Sequence, residues 1–171
     1  YVRNNVGILI FLSTSRVYSI PELKKIPLHD DGRRFQRDKG VEIIGLTQHG
    51  ISEEFSTKGF RSIYGASKLA SELLIQEYVQ AYKVKAIINR CGVIAGPGQF
   101  GKTDQGVFTY WVARHHFKKS LEYTGFGGKG LQVRDLLHPS DLFELLEKQV
   151  PKVEKYQSEI FNAGGGDESS T

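Results

Sequence analysis

Little in this sequence points to an oxidising or membrane environment. A single cysteine, Cys91, stands among 171 residues. No internal disulfide framework can form, and a reducing cytoplasm is the expected compartment. Long apolar runs are missing as well. The longest, "VGILIFL", falls far short of the ~20 residues that cross a bilayer, and no charged leader with a cleavage-like site stands before it. A soluble protein is expected, with no membrane partner. Clusters of one charge are also scarce. The formal charge is +4, from 23 Lys and Arg against 19 Asp and Glu. The cations are interspersed with carboxylates, which argues against a nucleic-acid-binding patch. There is neither an internal repeat nor a low-complexity tract. What is present is apolar material, 39% hydrophobic and 11% aromatic. That is enough to bury a core in one globular domain or part of a larger one.

The apolar residues alternate between two patterns. "GILIFLS" is a continuous run of the kind found in a strand covered on both faces. A long polar segment follows, from Arg16 to about Gly59, too long for a plain connection and read as an active-site insertion. Ala66, Leu69, Ala70, Leu73, Leu74 and Tyr78 then recur at helical spacing, and "VKAIINRCGVIA" resumes the buried-strand pattern. A second helix is expected from about Gln105 to Lys118, then a short strand "LEYTG". "HPSDLFELLEK" opens a third helix, with Pro139 in its first turn. "EIFNAGGG" reads as a strand entering a glycine loop. This alternation predicts an α/β fold, a doubly wound, Rossmann-like domain with a mainly parallel sheet. The chain starts on a buried-type strand and stops in a loop about to open a helix. The expectation is therefore residues 1–171 as an internal part of one larger domain.

"SIYGASKLASELLIQEY" (Ser62 to Tyr78) puts Tyr64 and Lys68 four residues apart at the head of a helix, where such residues are neighbours on one face. An ammonium held near a phenol favours the phenolate, and a phenolate can act as general base on a hydroxyl. By spacing alone the pair is equally the start of an ordinary surface helix. The surrounding segments decide between these readings.

Those segments are "FLSTSRVYS" at the end of the first strand, "YGASK", "NRCGVIAGPGQFG" and "LQVRDLLHPSDL". Together, in this order and from about Ile8 to Gly166, they resemble the extended short-chain dehydrogenase/reductase family, the NAD-dependent nucleotide-sugar epimerases and dehydratases. Within that family, "STSRVYS", "GISEEFST" and "RCGVIAGPGQFGKTDQG" are most similar to the epimerases that act at C2 of a CDP-deoxyhexose. The resemblance implies NAD as cofactor, a nucleotide sugar, with a CDP-sugar favoured, as substrate, and a homo-oligomer packed through the Tyr64 helix.

It also implies roles by position. Thr14 would hydrogen-bond the sugar hydroxyl and the tyrosine, Tyr64 would be the base, and Lys68 would hold the nicotinamide ribose. Ser13, Cys91 and Val93 fall where the family lines the nicotinamide. Many relatives carry an Asn contacting substrate at the place of Val93, so sugar recognition differs here. Dehydratases carry Asp then Glu after the strand-end hydroxyl, because removing water across two carbons needs a further acid and base. This chain has Ser15 and Arg16 there, which disfavours elimination and leaves both as candidate substrate contacts.

Gly96, Gly98 and Gly101 form a G-x-G-x-x-G spacing between a strand and a helix. Alone this suggests a pyrophosphate loop. By resemblance it is instead a substrate-side loop, within substrate-binding segments at about 96–138, and the cofactor fingerprint belongs to an earlier strand-turn-helix unit. Arg134 is the candidate for the nucleotide diphosphate, since a guanidinium pairs with phosphate oxygens in a fixed fork. Gln99, Gln105 and Gln132 are candidate sugar or base contacts. Asp135 is read as orienting backbone or Arg134, and His138 as a helix-entry residue. His115 and His116 lack the spacing of a metal pair, and no metal is assigned. Two alternatives stay open: another epimerase or reductase of the same family, or a catalytically silent chain that only binds a sugar nucleotide or a partner.

Overall fold

A computed structural model describes residues 7–102, 105–124, 126–156, 158–166 and 169. Its centre is a parallel sheet of three strands, β1 (Leu9–Thr14), β6 (Ala86–Cys91) and β9 (Ile160–Ala163), in the order β1-β6-β9. β6 is buried at all six positions, as its continuous apolar pattern requires of a central strand. β1 lies at the sheet's described edge, and Leu12 is exposed. "GILIFLS" is therefore covered less completely than its composition suggests.

The twofold alternation along β6 shows which helix covers which face. Ala86 packs with Val79 and Ile75, and Arg90 pairs with Glu72, all on α2 (Ile63–Tyr82). Asn89 and Cys91 point the other way, toward Gln149 and Leu142 of α4 (Pro139–Gln149). The two helices cover opposite faces, the doubly wound arrangement expected from the sequence. Both start as their sequences direct. Ser62 Oγ accepts the Gly65 N–H at 3.1 Å, and His138 caps α4 ahead of Pro139 by accepting the Ser140 N–H at 3.3 Å. His138 is thus a helix-entry residue.

"VKAIINRCGVIA" divides at Gly92. Its N–H still bonds to Ala163 of β9 at 2.8 Å, whereas Val93 N–H bonds to the Asp135 carbonyl at 2.9 Å. The chain there changes partners into β7 (Val93–Ile94), paired in parallel with β8 (Leu136–Leu137). Helix α3 (Val107–His116) lies inside the range expected for it.

The segment "LEYTG" is not a strand over Leu121–Thr124, and its last residue lies outside the described ones. Tyr123 stacks on Trp111 with ring centroids 5.1 Å apart, and the Thr124 carbonyl accepts from the Gln132 amide at 3.0 Å. Loop contacts, rather than a strand ladder, take up this segment.

The polar insertion has structure of its own. It holds a short helix α1 (Ile20–Leu23) and two hairpins, β2 (Leu28–Asp30) with β3 (Phe35–Arg37) and β4 (Leu46–Thr47) with β5 (Gly50–Ile51). Val17, Tyr18 and Phe55 form its buried cluster, with the Tyr18 and Phe55 rings edge to face at 5.8 Å.

Candidate active site

The carboxyl end of β1 and the first turns of α2 meet closely. Thr14 ends the strand, and its Oγ1 accepts the Arg16 N–H at 3.3 Å as the chain turns through Ser15–Val17. That is the only side-chain hydrogen bond of Thr14 among the described residues, so its hydroxyl hydrogen has no acceptor there. Thr14 is buried in the strand end, whereas Tyr64, in the first turn of α2, is half exposed. Lys68 follows one turn later. Its Nζ donates to the Leu12 carbonyl at 2.9 Å and stands 4.8 Å from the Phe11 ring centroid and 6.0 Å from that of Tyr64. The hydroxyl, phenol and ammonium thus converge on one end of one strand. This is the carboxyl edge of a parallel sheet, where open α/β folds place their ligands.

Ser13 and Cys91 complete this end. Thr14 and Cys91 are register partners on β1 and β6. Burial pushes the Cys91 thiol above its usual range, partly offset by the charge of Lys68. Ser13 is buried, and its Oγ donates to the Glu72 carboxylate at 2.5 Å. Val93 is half buried on β7.

Behind these residues lies a buried polar network. The Arg90 guanidinium grips Glu72, with Nη2 to Oε2 at 2.8 Å and Nε to both oxygens at 3.2 Å. The Arg90 and Glu72 side chains are 5% and 1% exposed, so this is an ion pair of the interior. Arg90 also donates to the Tyr18 hydroxyl at 3.2 Å, and Tyr18 donates to Asn162 Oδ1 at 2.6 Å. Burial raises the Tyr18 phenol above its ordinary range against the pull of Arg90. Burial also works against the charge of Arg90, but its bonds to Glu72 and Tyr18 outweigh this and hold its proton more tightly than usual. Sequence reasoning missed Glu72 and Arg90 as site residues. The signal was available: an arginine in a strand otherwise read as continuously buried requires a buried partner.

The candidate substrate contacts are dispersed. Ser15 and Arg16 are exposed in the turn after Thr14, and Gln105 is exposed ahead of α3. Gln99 is engaged at both ends within the chain, donating to the Ile94 carbonyl at 3.0 Å and accepting from Thr109 at 2.8 Å. Arg134 donates to Gln132 Oε1 at 3.1 Å, just before β8. Asp135 accepts the Gly165 N–H at 2.8 Å, so it orients backbone. An open cavity of about 550 Å³ adjoins the glycine loop, lined by Ala95, Gly96, Gly98, Phe108, His138 and Asp141 among others. Thr14, Tyr64 and Lys68 do not line it.

The glycines of that loop make room for protein. A Cβ at Gly96 would lie 2.6 Å from Pro139, and one at Gly101 would lie 2.3 Å from the Tyr110 backbone nitrogen. Two of the three glycines are therefore accounted for by close packing on α4 and α3, without a pyrophosphate.

The chain is 30% identical over 164 residues to CDP-paratose 2-epimerase of Salmonella typhi, covering 92% of this chain and 44% of that protein. It is 29% identical over 133 residues to human dTDP-D-glucose 4,6-dehydratase, covering 75% of this chain and 35% of that protein. Among solved structures, dTDP-glucose 4,6-dehydratase of Bacillus anthracis in complex with NAD superposes with a TM-score of 0.67 at 22% identity. That match spans 99% of this chain and 43% of the other, and it bears on the fold alone. The chain thus spans less than half the length of these relatives. Residues 2–164 match the description of one family, and the strand-end hydroxyl, Tyr64 and Lys68 stand together within them: the chain belongs to the NAD dependent epimerase/dehydratase family.

Proposed function

We propose that this protein is an NAD-dependent epimerase of a nucleotide sugar, acting at C2 of a CDP-deoxyhexose through a transient keto sugar. The observation that carries the reading is the convergence of Thr14, Tyr64 and Lys68 at one strand end, with Ser15 and Arg16 following Thr14 in place of two carboxylates. One polar group able to take a proton suffices for oxidation and return. Elimination of water needs a further acid and base. The similarity to CDP-paratose 2-epimerase supports the CDP-sugar and the C2 position.

The residues present fit the nicotinamide end of the cofactor. Ser13, Tyr64, Lys68, Cys91 and Val93 would hold it there. The glycine loop, occupied by its own helices, is assigned to the substrate side within 96–138. Bound NAD supplies an acceptor for the hydride from the sugar carbon and a donor for its return to the opposite face.

In this reading Tyr64 removes the proton from the sugar hydroxyl as the carbon is oxidised, and gives it back when the ketone is reduced. The Thr14 hydroxyl hydrogen, with no acceptor among the described residues, is donated to the same sugar oxygen or to the phenol. Lys68 keeps positive charge beside Tyr64 and would turn from the Leu12 carbonyl to the ribose hydroxyls. Arg134 and Gln132 would meet the nucleotide diphosphate and base. Residues 1–171 would be an internal part of one Rossmann-like domain. Leu73, Leu74, Tyr78 and Tyr82 leave an exposed apolar surface on α2, which supports a homo-oligomer.

The test is turnover by the full native chain with NAD, using a CDP-2-epimeric sugar pair and dTDP-glucose as substrates. Interconversion of the CDP sugars that falls about 10²- to 10⁴-fold in Tyr64→Phe is expected. Loss of water from dTDP-glucose, or turnover indifferent to Tyr64→Phe, overturns the reading.

A further inference from the structure

Tyr64, Lys68 and Glu72 follow one another at intervals of four on α2, so a carboxylate stands one turn beyond the ammonium on the same side of the helix. Lysine and glutamate at this spacing ordinarily attract each other. They do not pair here. Among the described residues, no carboxylate comes within 4.0 Å of Lys68, whose Nζ goes to the Leu12 carbonyl. Glu72 is drawn to the sheet instead. It accepts from Ser13 Oγ and from two nitrogens of Arg90, and its side chain is 1% exposed.

The geometry points to Arg90 as a positioning residue that neutralises Glu72 and so leaves Lys68 as the unbalanced charge beside Tyr64. Without Arg90, the nearest compensation for the Glu72 anion is Lys68, one turn away. The ammonium would then be pulled along the helix, away from the phenol, and a negative charge would face the base. The inference rests on the reading of Tyr64 as the base, but it concerns charge alone and can be tested without substrate.

Among the described residues, the groups around this pair come from three places. Lys68 and Tyr64 share α2 with Glu72, Arg90 comes from β6, and Cys91, turned toward α4 at the end of β6, feels the charge of Lys68. Tyr18 comes from the turn after β1 and bonds to Arg90. From the insertion, Glu53 offers its carbonyl to Arg90 at 3.4 Å, and its carboxylate accepts the Asn162 N–H at 2.5 Å. The exposed Arg16 passes its backbone over Gly65.

Tyr64 and Glu72 are eight residues apart, about 12 Å of helix rise. At that distance salt screens much of the interaction with the half-exposed phenol, so the comparison is made at low ionic strength. The experiment is a spectrophotometric titration of tyrosinate absorbance in the full native chain, each variant read against the same variant carrying Tyr64→Phe. The difference isolates Tyr64 from every other tyrosine.

Glu72→Gln, which leaves Arg90 uncompensated, is expected to bring Tyr64 ionisation to lower pH. Arg90→Gln is expected to move it to higher pH. The double variant leaves the pair neutral, as in the wild type, and is expected to titrate with it. If Arg90→Gln does not fold, Glu72→Gln against the double variant carries the same comparison. Single variants that lower the melting temperature while Tyr64 titrates unchanged, or that both shift it in one direction, would show a purely structural ion pair and overturn the inference. Activity is not read here. Failure of this titration leaves the proposed epimerase standing, and turnover indifferent to Tyr64→Phe removes the epimerase without touching the titration.

Discussion

The carbonyl oxygen of Arg16 lies over the α-carbon of Gly65, so close that a Cβ built there would sit 2.1 Å from it. Gly65 is the residue after Tyr64, in the first turn of α2. The missing side chain lets the turn after Thr14 rest directly on the helix that carries the phenol and the ammonium. Gly65→Ala puts a methyl group into backbone, which cannot rotate aside. The expected cost is about 1–3 kcal/mol, the range for overpacking a filled interior. Because relief must come from separating the turn and the helix, kcat should fall by more than the loss of folded protein explains. Urea unfolding alongside kcat on the folded fraction checks this, and unchanged kcat would show that the contact does not set the distance between Thr14 and Tyr64.

Lys68 makes a different contribution, and removing it separates charge from fold. It is half exposed, and its ammonium bonds to the Leu12 carbonyl at the strand end. Lys68→Met keeps an unbranched apolar side chain near Phe11 and removes the charge. One exchanged hydrogen bond is worth about 1 kcal/mol in stability, whereas a base deprived of its neighbouring cation is expected to lose about 10²-fold in rate. A large drop in kcat with a nearly unchanged denaturation midpoint is therefore expected. A proportional loss of both would place Lys68 among the folding residues.

The parts of this site that could be read from the sequence are those with local signatures. Thr14 closes a recognisable strand, and Tyr64 and Lys68 stand at a fixed spacing on a helix that Ser62 begins. The alternating elements also predicted helices on both faces of a parallel sheet, as found around β6. What escaped was set by tertiary contacts. Glu72 looks like any solvated helix residue until Arg90 is seen beside it on the face of β6 that α2 covers. Gln99, Gly96 and Gly101 also pack against Thr109, Pro139 and Tyr110, contacts that the spacing within their loop does not announce. Tyr123 has the composition of a strand residue, yet it packs on Trp111. Spacing along one element is written in the sequence, while a partner on a different element is not.

On the other face of the sheet, Asn89 and Gln149 exchange two hydrogen bonds, at 2.8 and 2.9 Å, in the buried space between β6 and α4. Each amide satisfies the other. Gln149→Leu leaves the Asn89 amide buried without its partner and should cost about 1–3 kcal/mol. Replacing both with leucine removes the orphaned group, so the double variant should recover much of that loss. Chemical denaturation of the two singles and the double measures the coupling directly. Additive losses would mean that solvent reaches the gap and that the pair is not the lock between helix and strand. Activity per folded molecule should be unaffected, since the pair faces away from Tyr64.

Cys91 gives the fold a definite pH dependence. Burial pushes its thiol upward, and the nearby Lys68 charge offsets this only in part. The folded protein therefore holds a proton that the unfolded chain releases near the ordinary thiol value of about 8.5. With the folded value raised, this stability is fully present below that pH and is lost as pH climbs toward the folded value. Tyr18, raised chiefly by burial, adds a second decline above the usual phenol value of about 10. Urea midpoints of the wild type should thus fall between about pH 8.5 and 10, and Cys91→Ala should flatten that decline while leaving the drop above pH 10. Lys68→Met, which removes the opposing charge, should push the thiol still higher and extend the cysteine-dependent decline to higher pH. An alkaline profile identical in the wild type and Cys91→Ala would mean that the thiol beside Thr14 is solvated. The strand end would then be open to water before any ligand arrives.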